Sequence, residues 1–282
     1  MNPRQSFRAL TAEMESPMTQ KQESQPEVPG LRFSGERIIP GEVTRDRELA
    51  SRRRYQFAAW YVEGKRVLDM GCGEGYGTAI LAERAAQVVG TDASEEAIAH
   101  AAAKYRLENV AFHCMPAEEL SFPNNSFDVV VCLELIEHVE HHIPVMREIQ
   151  RVLRTDGTLI LSTPNKSVTS PGRKKPIHEY HVREFTVGEL HDLCRNFFPE
   201  VELFSQENPF EKSRRTIRWF MALDFLHLRK LFPRRSKDRV KDRMKDALGE
   251  TIREEPEPQR WAVISGAKPN CRDIVVVCRK PR

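Results

Sequence analysis

Between Leu133 and His142 the chain reads LELIEHVEHH, three carboxylates and three histidines in ten residues, directly behind the apolar run FDVVVC. Side chains of these types suit ligation of a divalent cation or proton transfer near neutral pH. If a helical turn begins near Glu134, then Glu134, Glu137 and His138 stand at i, i+3 and i+4 on one face, where three ligands can meet. A fourth donor lies in IHEYHVREFT, as His181 or His178. Mixed imidazole and carboxylate donors fit Mg, Mn or Zn, with open positions for substrate oxygens. The plainer alternative is a solvated helix start, which suits Glu140, His141 and His142. Thr186 and Glu189 have capping-box spacing, so part of the second motif only starts the helix TVGELHDLCRNFF.

Such side chains need elements to hold them. KRVLDMG, AQVVGTD, VAFHC, FDVVVC, GTLILSTP, VELFSQE and DIVVVCRK read as strands, the first five apolar on both faces. TAILAERAA, SEEAIAHAAAKYRL and IPVMREIQRVLR carry apolar residues at helical spacing between them. Alternation of this kind implies an α/β fold with a doubly wound, mostly parallel seven-stranded sheet and helices on both faces. Ligands of such sheets bind outside the carboxyl ends of the strands.

The first strand runs into VLDMGCGEGYGT, with glycines at 71, 73, 75 and 77. Glycine there permits a tight strand-to-helix turn and close approach of a ligand to the backbone. A dinucleotide fingerprint counted from Gly71 would need glycine at Tyr76, and no lysine follows as in a phosphate loop. Asp92 closes the second strand 21 residues past Gly71, where an acid can accept hydrogen bonds from ribose hydroxyls.

At these residues the chain resembles the class I S-adenosylmethionine-dependent methyltransferases. The markers are VLDMGCGEGYGT, VVGTDAS, AEELSFPNNSFDVVVCLELIEHV and GTLILSTPN, and the likeness runs from about Gly35 to Glu207, with DIVVVCRKP near the end. GERIIPGE and HVREFT look like bacterial members tied to sugar, polysaccharide or other small-molecule methylation. The resemblance implies a Rossmann-like fold and S-adenosylmethionine as cofactor. It gives Asp69 and the glycine turn the methionine part, Asp92 the ribose, and Ala117 the adenine. The implied cofactor set is Asp69, Gly71, Cys72, Gly73, Gly75, Asp92, Ala93, Ala117, Glu118 and Leu133. Many members carry an acid where this chain has Pro116, so the adenine amino contact is lost or taken by Glu118.

Two groups of the family sharpen the metal alternative. The ubiquinone-pathway O-methyltransferases share the ExxEH pattern, here Glu134, Glu137 and His138. The 2′-O-methyltransferases of small-RNA 3′ ends share that triplet, followed by a histidine before a Thr-x-x-Glu helix start, here His181. The implied metal set is Glu134, Glu137, His138 and His181, for Mg or Mn. ExxEH also occurs in family members not known to need metal, where the first Glu and the His can line the acceptor pocket or cap a helix. The implied catalytic residues are His138, His181 and Glu134, the histidines taking a hydroxyl proton directly or through water when no metal is bound.

Composition frames these motifs. With 40% hydrophobic residues the chain can fill a real core. Residues 1–35 are rich in Gln, Glu, Ser and Pro and read as a disordered tail, leaving 36–282 as the methyltransferase domain. The tail has no apolar stretch of secretory-signal type, and the six cysteines lack CxxC spacing, which together suggest a cytoplasmic protein with reduced thiols. A helical insertion is expected over 208–264, before the last strand, as a lid or acceptor region. Thirteen Lys or Arg stand against three Asp between Lys212 and Lys245. Apolar spacing in RRTIRWFMALDFLHLRKLF suits a lid packed on the core; the basic character of 214–245 also suits peripheral contact with an anionic inner-membrane surface, or less well RNA phosphates.

The expectation is an O-methyltransferase acting on a small molecule such as a sugar, a glycolipid precursor or a quinone-like metabolite. The alternatives are an RNA 2′-O-methyltransferase with a Glu/Glu/His/His metal site and a non-catalytic cofactor-binding regulator.

Overall fold

The computed structural model describes residues 31, 37–206 and 263–281. The expected tail, apart from Leu31, and nearly all of the expected insertion lie outside the described residues.

Eight strands form one sheet: β1 (Arg66–Met70), β2 (Gln87–Asp92), β3 (Val110–Cys114), β4 (Phe127–Leu133), β5 (Leu153–Pro164), β6 (Glu200–Gln206), β7 (Val263–Ser265) and β8 (Asp273–Arg279). Their spatial order is β3-β2-β1-β4-β5-β8-β6-β7. The first five run parallel, while β8 lies antiparallel to both β5 and β6. The seven expected strands are therefore present, in a mostly parallel sheet. The short β7 adds an eighth at the edge beside β6, so residues 263 and 264, assigned to the insertion from sequence, belong to the sheet.

Helices cover both faces, and the strands read as continuous apolar runs for that reason. Alternate residues separate cleanly. Leu68, Val130, Leu159 and Val276 pack on one face with Val145, Met146 and Ile149 of the helix His142–Val152. Val67, Val129, Ile160 and Val275 pack on the other with Phe57, Ala58 and Leu81.

In chain order the described helices are α1 (Arg45–Ala59), α2 (Tyr76–Ala82), α3 (Glu95–Lys104), α4 (His142–Val152), the single turn α5 (Lys166–Thr169) and α6 (Val187–Arg195). None is long and apolar enough to cross a membrane. Thr186 and Glu189 do form a complete capping box at the start of α6. Nothing in the sequence pattern points to α1. Its stretch RDRELASRRRYQ looks solvated, yet the helix buries Ser51, Arg54 and Tyr55 together with Ala50, Phe57, Ala58 and Ala59.

Because β1, β2, β4 and β5 are parallel, Met70, Asp92, Leu133 and Pro164 end at one edge of the sheet. The glycine turn and the acidic-histidine stretch both emerge there. Helix α2 opens at Gly75, whose φ of 96° lies in the left-handed region. Gly77 is required for another reason: a Cβ at this position would enter the ring of Tyr55. Gly77→Ala is therefore expected to lower unfolding stability by about 1–3 kcal/mol through overpacking, read from denaturant midpoints. Unchanged stability would mean that α1 is free to move off α2.

Candidate functional site

A cavity of about 540 Å³ opens at this edge, a size usual for a small-molecule site. One wall is the glycine turn. The N–H groups of Gly71 and Cys72 donate to the Thr91 carbonyl at 2.8 and 2.9 Å, tying the turn to the end of β2. The Asp92 carboxylate then accepts from Gly73 N–H at 3.0 Å and from Ser94 N–H at 2.9 Å. Gly73 has φ of 54°, and a Cβ there would meet only Arg37, at 3.9 Å. The space its missing side chain leaves therefore belongs to the cavity.

Of the ten residues expected to bind the cofactor, Gly71, Cys72, Gly73 and Asp92 line this cavity, as do Ala93, Ala117, Glu118 and Leu133. Asp69 and Gly75 do not. Asp69 is wholly buried beneath the turn, accepting from Thr78 Oγ1 at 2.6 Å and from the Tyr55 hydroxyl at 3.2 Å. Its role is to hold Tyr55, which does line the cavity. A Cβ on Gly75 would meet Ala101 and Tyr105 at 2.9 Å, so this glycine seats α2 against α3. Burial pushes the Cys72 thiol well above its ordinary pKa, which leaves it unreactive.

The opposite wall begins at Glu134. No helical turn starts here. Glu134 has φ of 54°, and the chain then makes a tight turn in which His138 N–H donates to the Leu135 carbonyl at 2.9 Å. The left-handed residue rotates the Glu134 side chain away from those of Glu137 and His138. It accepts from Ser162 Oγ at 2.8 Å and lies 3.5 Å from the Arg54 guanidinium. Glu134 and His138 both line the cavity. The expected four-residue metal set is thus corrected: Glu137, His138 and His181 offer ligand atoms within 4.8 Å of one another, and Glu134 stands outside the group.

Those three side chains are held in a particular way. Val182 and Arg183 N–H groups donate to the Glu137 carbonyl at 2.8 and 3.1 Å, pinning the loop that carries His181 to the turn that carries Glu137. His181 Nδ1 lies 2.8 Å from Glu184 Oε1, while Thr169 Oγ1 donates to the other Glu184 oxygen at 2.8 Å. His138 Nδ1 lies 3.0 Å from the Tyr180 carbonyl. An acceptor opposite each Nδ1 assigns the proton to that nitrogen and leaves the Nε2 lone pair outward, the arrangement found around metal-bound imidazole. Glu137 is 1% exposed; its Oε2 accepts from Thr163 Oγ1 at 3.0 Å, and its Oε1 has no hydrogen-bond partner among the described residues. Burial, reinforced by Glu134, pushes the Glu137 carboxyl well above its ordinary pKa. A buried carboxylate and two imidazoles whose ligand atoms lie within 4.8 Å of one another make a donor set that fits a divalent cation.

His178 stacks on His181, ring centroids 4.2 Å apart, but does not join the group. His141 is the N-cap of α4 and His142 its first residue, as the plainer alternative has it. Sequence reasoning missed Ser51, Tyr55 and Arg54, because arginines in an RRRY run look solvated. Ser51 hydrogen-bonds the Tyr76 hydroxyl beside the cavity.

Asp69 generates a pH prediction. Burial raises its carboxyl to about 7, against hydrogen bonds from Thr78 and Tyr55 that lower it. The folded-state value exceeds the unfolded one, so protonated Asp69 contributes stability below about pH 4, and this contribution is lost as pH rises to about 7. The wild-type stability minus that of Asp69→Asn should fall across that window by roughly 4 kcal/mol at most, read from denaturant midpoints of the ligand-free protein. A flat difference curve would assign the titration elsewhere.

Residues 68–161 match the model of a methyltransferase domain. A probable S-adenosylmethionine-dependent methyltransferase of Mycolicibacterium smegmatis is 38% identical over 175 residues, 61% of this chain and 66% of that protein. One of Mycobacterium tuberculosis is 40% identical over 166 residues, 58% of this chain and 59% of its own length. The chain thus spans about three-fifths to two-thirds of these curated relatives. A ubiquinone biosynthesis O-methyltransferase of Idiomarina loihiensis is 38% identical over 111 residues, 38% of this chain and 45% of that one. The fold is shared with a solved SAM-dependent methyltransferase of Thermotoga maritima, at TM-score 0.55 and 19% identity over 83% of this chain and 91% of that one. Sheet order, glycine turn and relatives agree, and the chain belongs to the class I S-adenosylmethionine-dependent methyltransferases.

Proposed function

We propose that the protein transfers the methyl group of S-adenosylmethionine to an oxygen of a small molecule: a sugar, a glycolipid precursor or a quinone-like metabolite. The observation that carries this reading is the single cavity with the glycine turn and Asp92 on one wall and Glu134 and His138 on the other. Its size suits a compact acceptor. The similarity to ubiquinone-pathway O-methyltransferases supports oxygen as the accepting atom.

Methyl transfer from a sulfonium is an in-line displacement. The carbon–oxygen bond forms as the carbon–sulfur bond breaks, the thioether leaves with the electron pair, and the acceptor hydroxyl gives up its proton. Holding the reactants in line supplies much of the acceleration. Asp92 keeps lone pairs for ribose hydroxyls beyond the two N–H groups it already accepts. Gly73 leaves room beside the backbone, and Ala117 and Glu118 wall the far end. Glu134, held by Arg54 and Ser162, can accept a hydrogen bond from the acceptor. Glu137, His138 and His181 would hold Mg or Mn. A cation there would lower the pKa of the acceptor hydroxyl. In its absence, His138 Nε2 can take the proton, since its Nδ1–H is engaged by Tyr180.

The test incubates the purified full chain with methyl-labelled S-adenosylmethionine and extract, with and without added Mn²⁺ or Mg²⁺ after chelation. Label in small solutes or lipid that returns with the metal is the expected result. Label confined to RNA, or a total absence of transfer despite cofactor binding, would overturn the reading.

The cation site is tested separately by calorimetric titration with Mn²⁺. Glu137→Gln should abolish binding, and Glu184→Gln, which removes the carboxylate behind His181, should weaken it roughly 10–100-fold. Equal affinities in wild type and both variants would return the three side chains to a purely structural role.

A further inference from the structure

The loop between α5 and α6 follows the carboxyl end of β5 and carries the outer part of the histidine cluster. Its backbone is tied down along its length. Ile177 N–H donates to Ser170 Oγ at 2.9 Å, and His181 N–H donates to the His178 carbonyl at 3.2 Å. The Tyr180 carbonyl faces His138 Nδ1, and the Glu137 carbonyl accepts from Val182 and Arg183 N–H. Side chains on this fixed backbone sort by chemistry. His178 and His181 stack on each other and are half-buried, whereas Ile177, Tyr180 and Val182 beside them are 58%, 38% and 52% exposed. Three of the six large hydrophobic side chains exposed among the described residues thus fall within six positions. A fourth, Ile143, follows His142, whose Nε2 lies 3.3 Å from the Arg183 guanidinium. Single exposed apolar residues are ordinary, but their concentration on a fixed loop beside a binding cavity marks a contact surface.

The same loop is cationic. Arg173, Lys174, Lys175 and Arg183 are exposed, against one exposed acid, Glu179. Aliphatic side chains bordered by Lys and Arg suit a surface that offers hydrocarbon beneath a layer of negative charge, which describes a bilayer containing anionic lipids. Other occupants fit less well. A second copy of the chain would bring the same cations. Residues 212–245 carry thirteen Lys or Arg against three Asp, so they too would meet like charge on this loop. Single-stranded RNA calls for stacking aromatics, and of these the loop has Tyr180 alone.

We propose that residues 171–183 dock the protein on an anionic lipid bilayer, with Ile177 and Val182 entering the boundary between headgroups and acyl chains and Arg173, Lys174 and Lys175 lying over the lipid phosphates. No described helix is long and apolar enough to cross a membrane, so this contact is peripheral. The loop is bonded to His138, which lines the cavity, so docking brings the acceptor wall to the bilayer surface. This goes beyond the choice of acceptor and is read without turnover.

The experiment sediments the full chain with vesicles of phosphatidylcholine, alone or mixed with phosphatidylglycerol. Wild type is compared with Ile177→Ser/Val182→Ser and with Lys174→Gln/Lys175→Gln. Binding to the mixed vesicles is expected, about tenfold or more tighter than to phosphatidylcholine alone, and weakened about tenfold or more in each double variant. The S-adenosylhomocysteine affinity of both variants should stay within twofold of wild type. The lysine variant leaves the apolar side chains in place and decides the matter even where the serine variant fails to fold. No binding by the wild type, or retention by RNA but not by vesicles, overturns the proposal. Vesicle binding unchanged in both variants overturns it as well and moves the lipid contact elsewhere on the chain. Unchanged vesicle binding with a lowered unfolding midpoint in the serine variant gives the face to residues 207–262 instead, and unchanged vesicle binding with a wild-type dimer that this variant dissociates gives it to a second copy. A wild-type chain that binds vesicles as expected but not S-adenosylhomocysteine would sink the methyltransferase reading and leave the lipid contact standing.

Discussion

Arg54 is the constraint on which the site depends. A guanidinium keeps its charge at any ordinary pH, so one buried in a fold must find acceptors there. Arg54 finds them on three segments far apart in sequence: Gln206 at the end of β6, Asp273 at the start of β8 and Glu134 beyond β4. Gln206 in turn donates to the Ala50 carbonyl at 2.8 Å, returning the connection to α1. One charge therefore docks α1 on the sheet edge, fixes the antiparallel β8 between β5 and β6, and holds Glu134 at the cavity. Removing Arg54 would take from Glu134 its ion pair and leave Asp273 only the more distant Arg272 guanidinium, at 3.9 Å, a larger loss than the hydrogen bonds themselves.

How far the sequence revealed this can be judged residue by residue. The strands were legible because a sheet covered on both faces needs continuous apolar runs, as in VLDM and FDVVVC. The glycine turn was legible because positive φ and close packing admit few other residues, as the steric surroundings of Gly71 and Gly75 confirm. Helix α1 was hidden because its buried face is held by an arginine, a serine and a tyrosine whose partners lie up to 219 residues away. No local pattern encodes such pairings. The ExxEH motif contains two residues of the Glu137–His138–His181 group, while Glu134 falls outside it, because one left-handed residue changed which side chains share a face. Asp69 was misplaced for a related reason: its place on β1 was clear from the sequence, but its capture by Tyr55 and Thr78 was not.

Two carboxyls, Asp69 and Glu137, are wholly buried and shifted toward the neutral form. Each sits behind one wall. Asp69 is satisfied by hydroxyl donors and keeps Tyr55 in place, so its burial is compensated by neutral partners. Glu137 is satisfied at one oxygen only. The contrast separates a carboxyl that supports the fold from one whose second oxygen lacks a hydrogen-bond partner among the described residues, and the two imidazoles with ligand atoms within 4.8 Å give the difference a chemical meaning.

The distance between the walls follows from the sheet itself. Strands β1 and β4 are hydrogen-bonded neighbours, with Asp69 opposite Val131, so the turns that follow them emerge about 4.8 Å apart. They also touch: a Cβ on Gly71 would sit 3.1 Å from Leu135. Glycine lets the cofactor turn and the acceptor turn pack directly, with Glu134 on one side of Leu135 and the Glu137–His138 pair on the other. Displacement reactions lose rate steeply when the reacting atoms are misplaced by an ångström. A site made from the ends of two adjacent parallel strands takes its spacing from the backbone ladder, the least deformable part of the fold. Loops of variable length can then change the acceptor without moving the point of transfer.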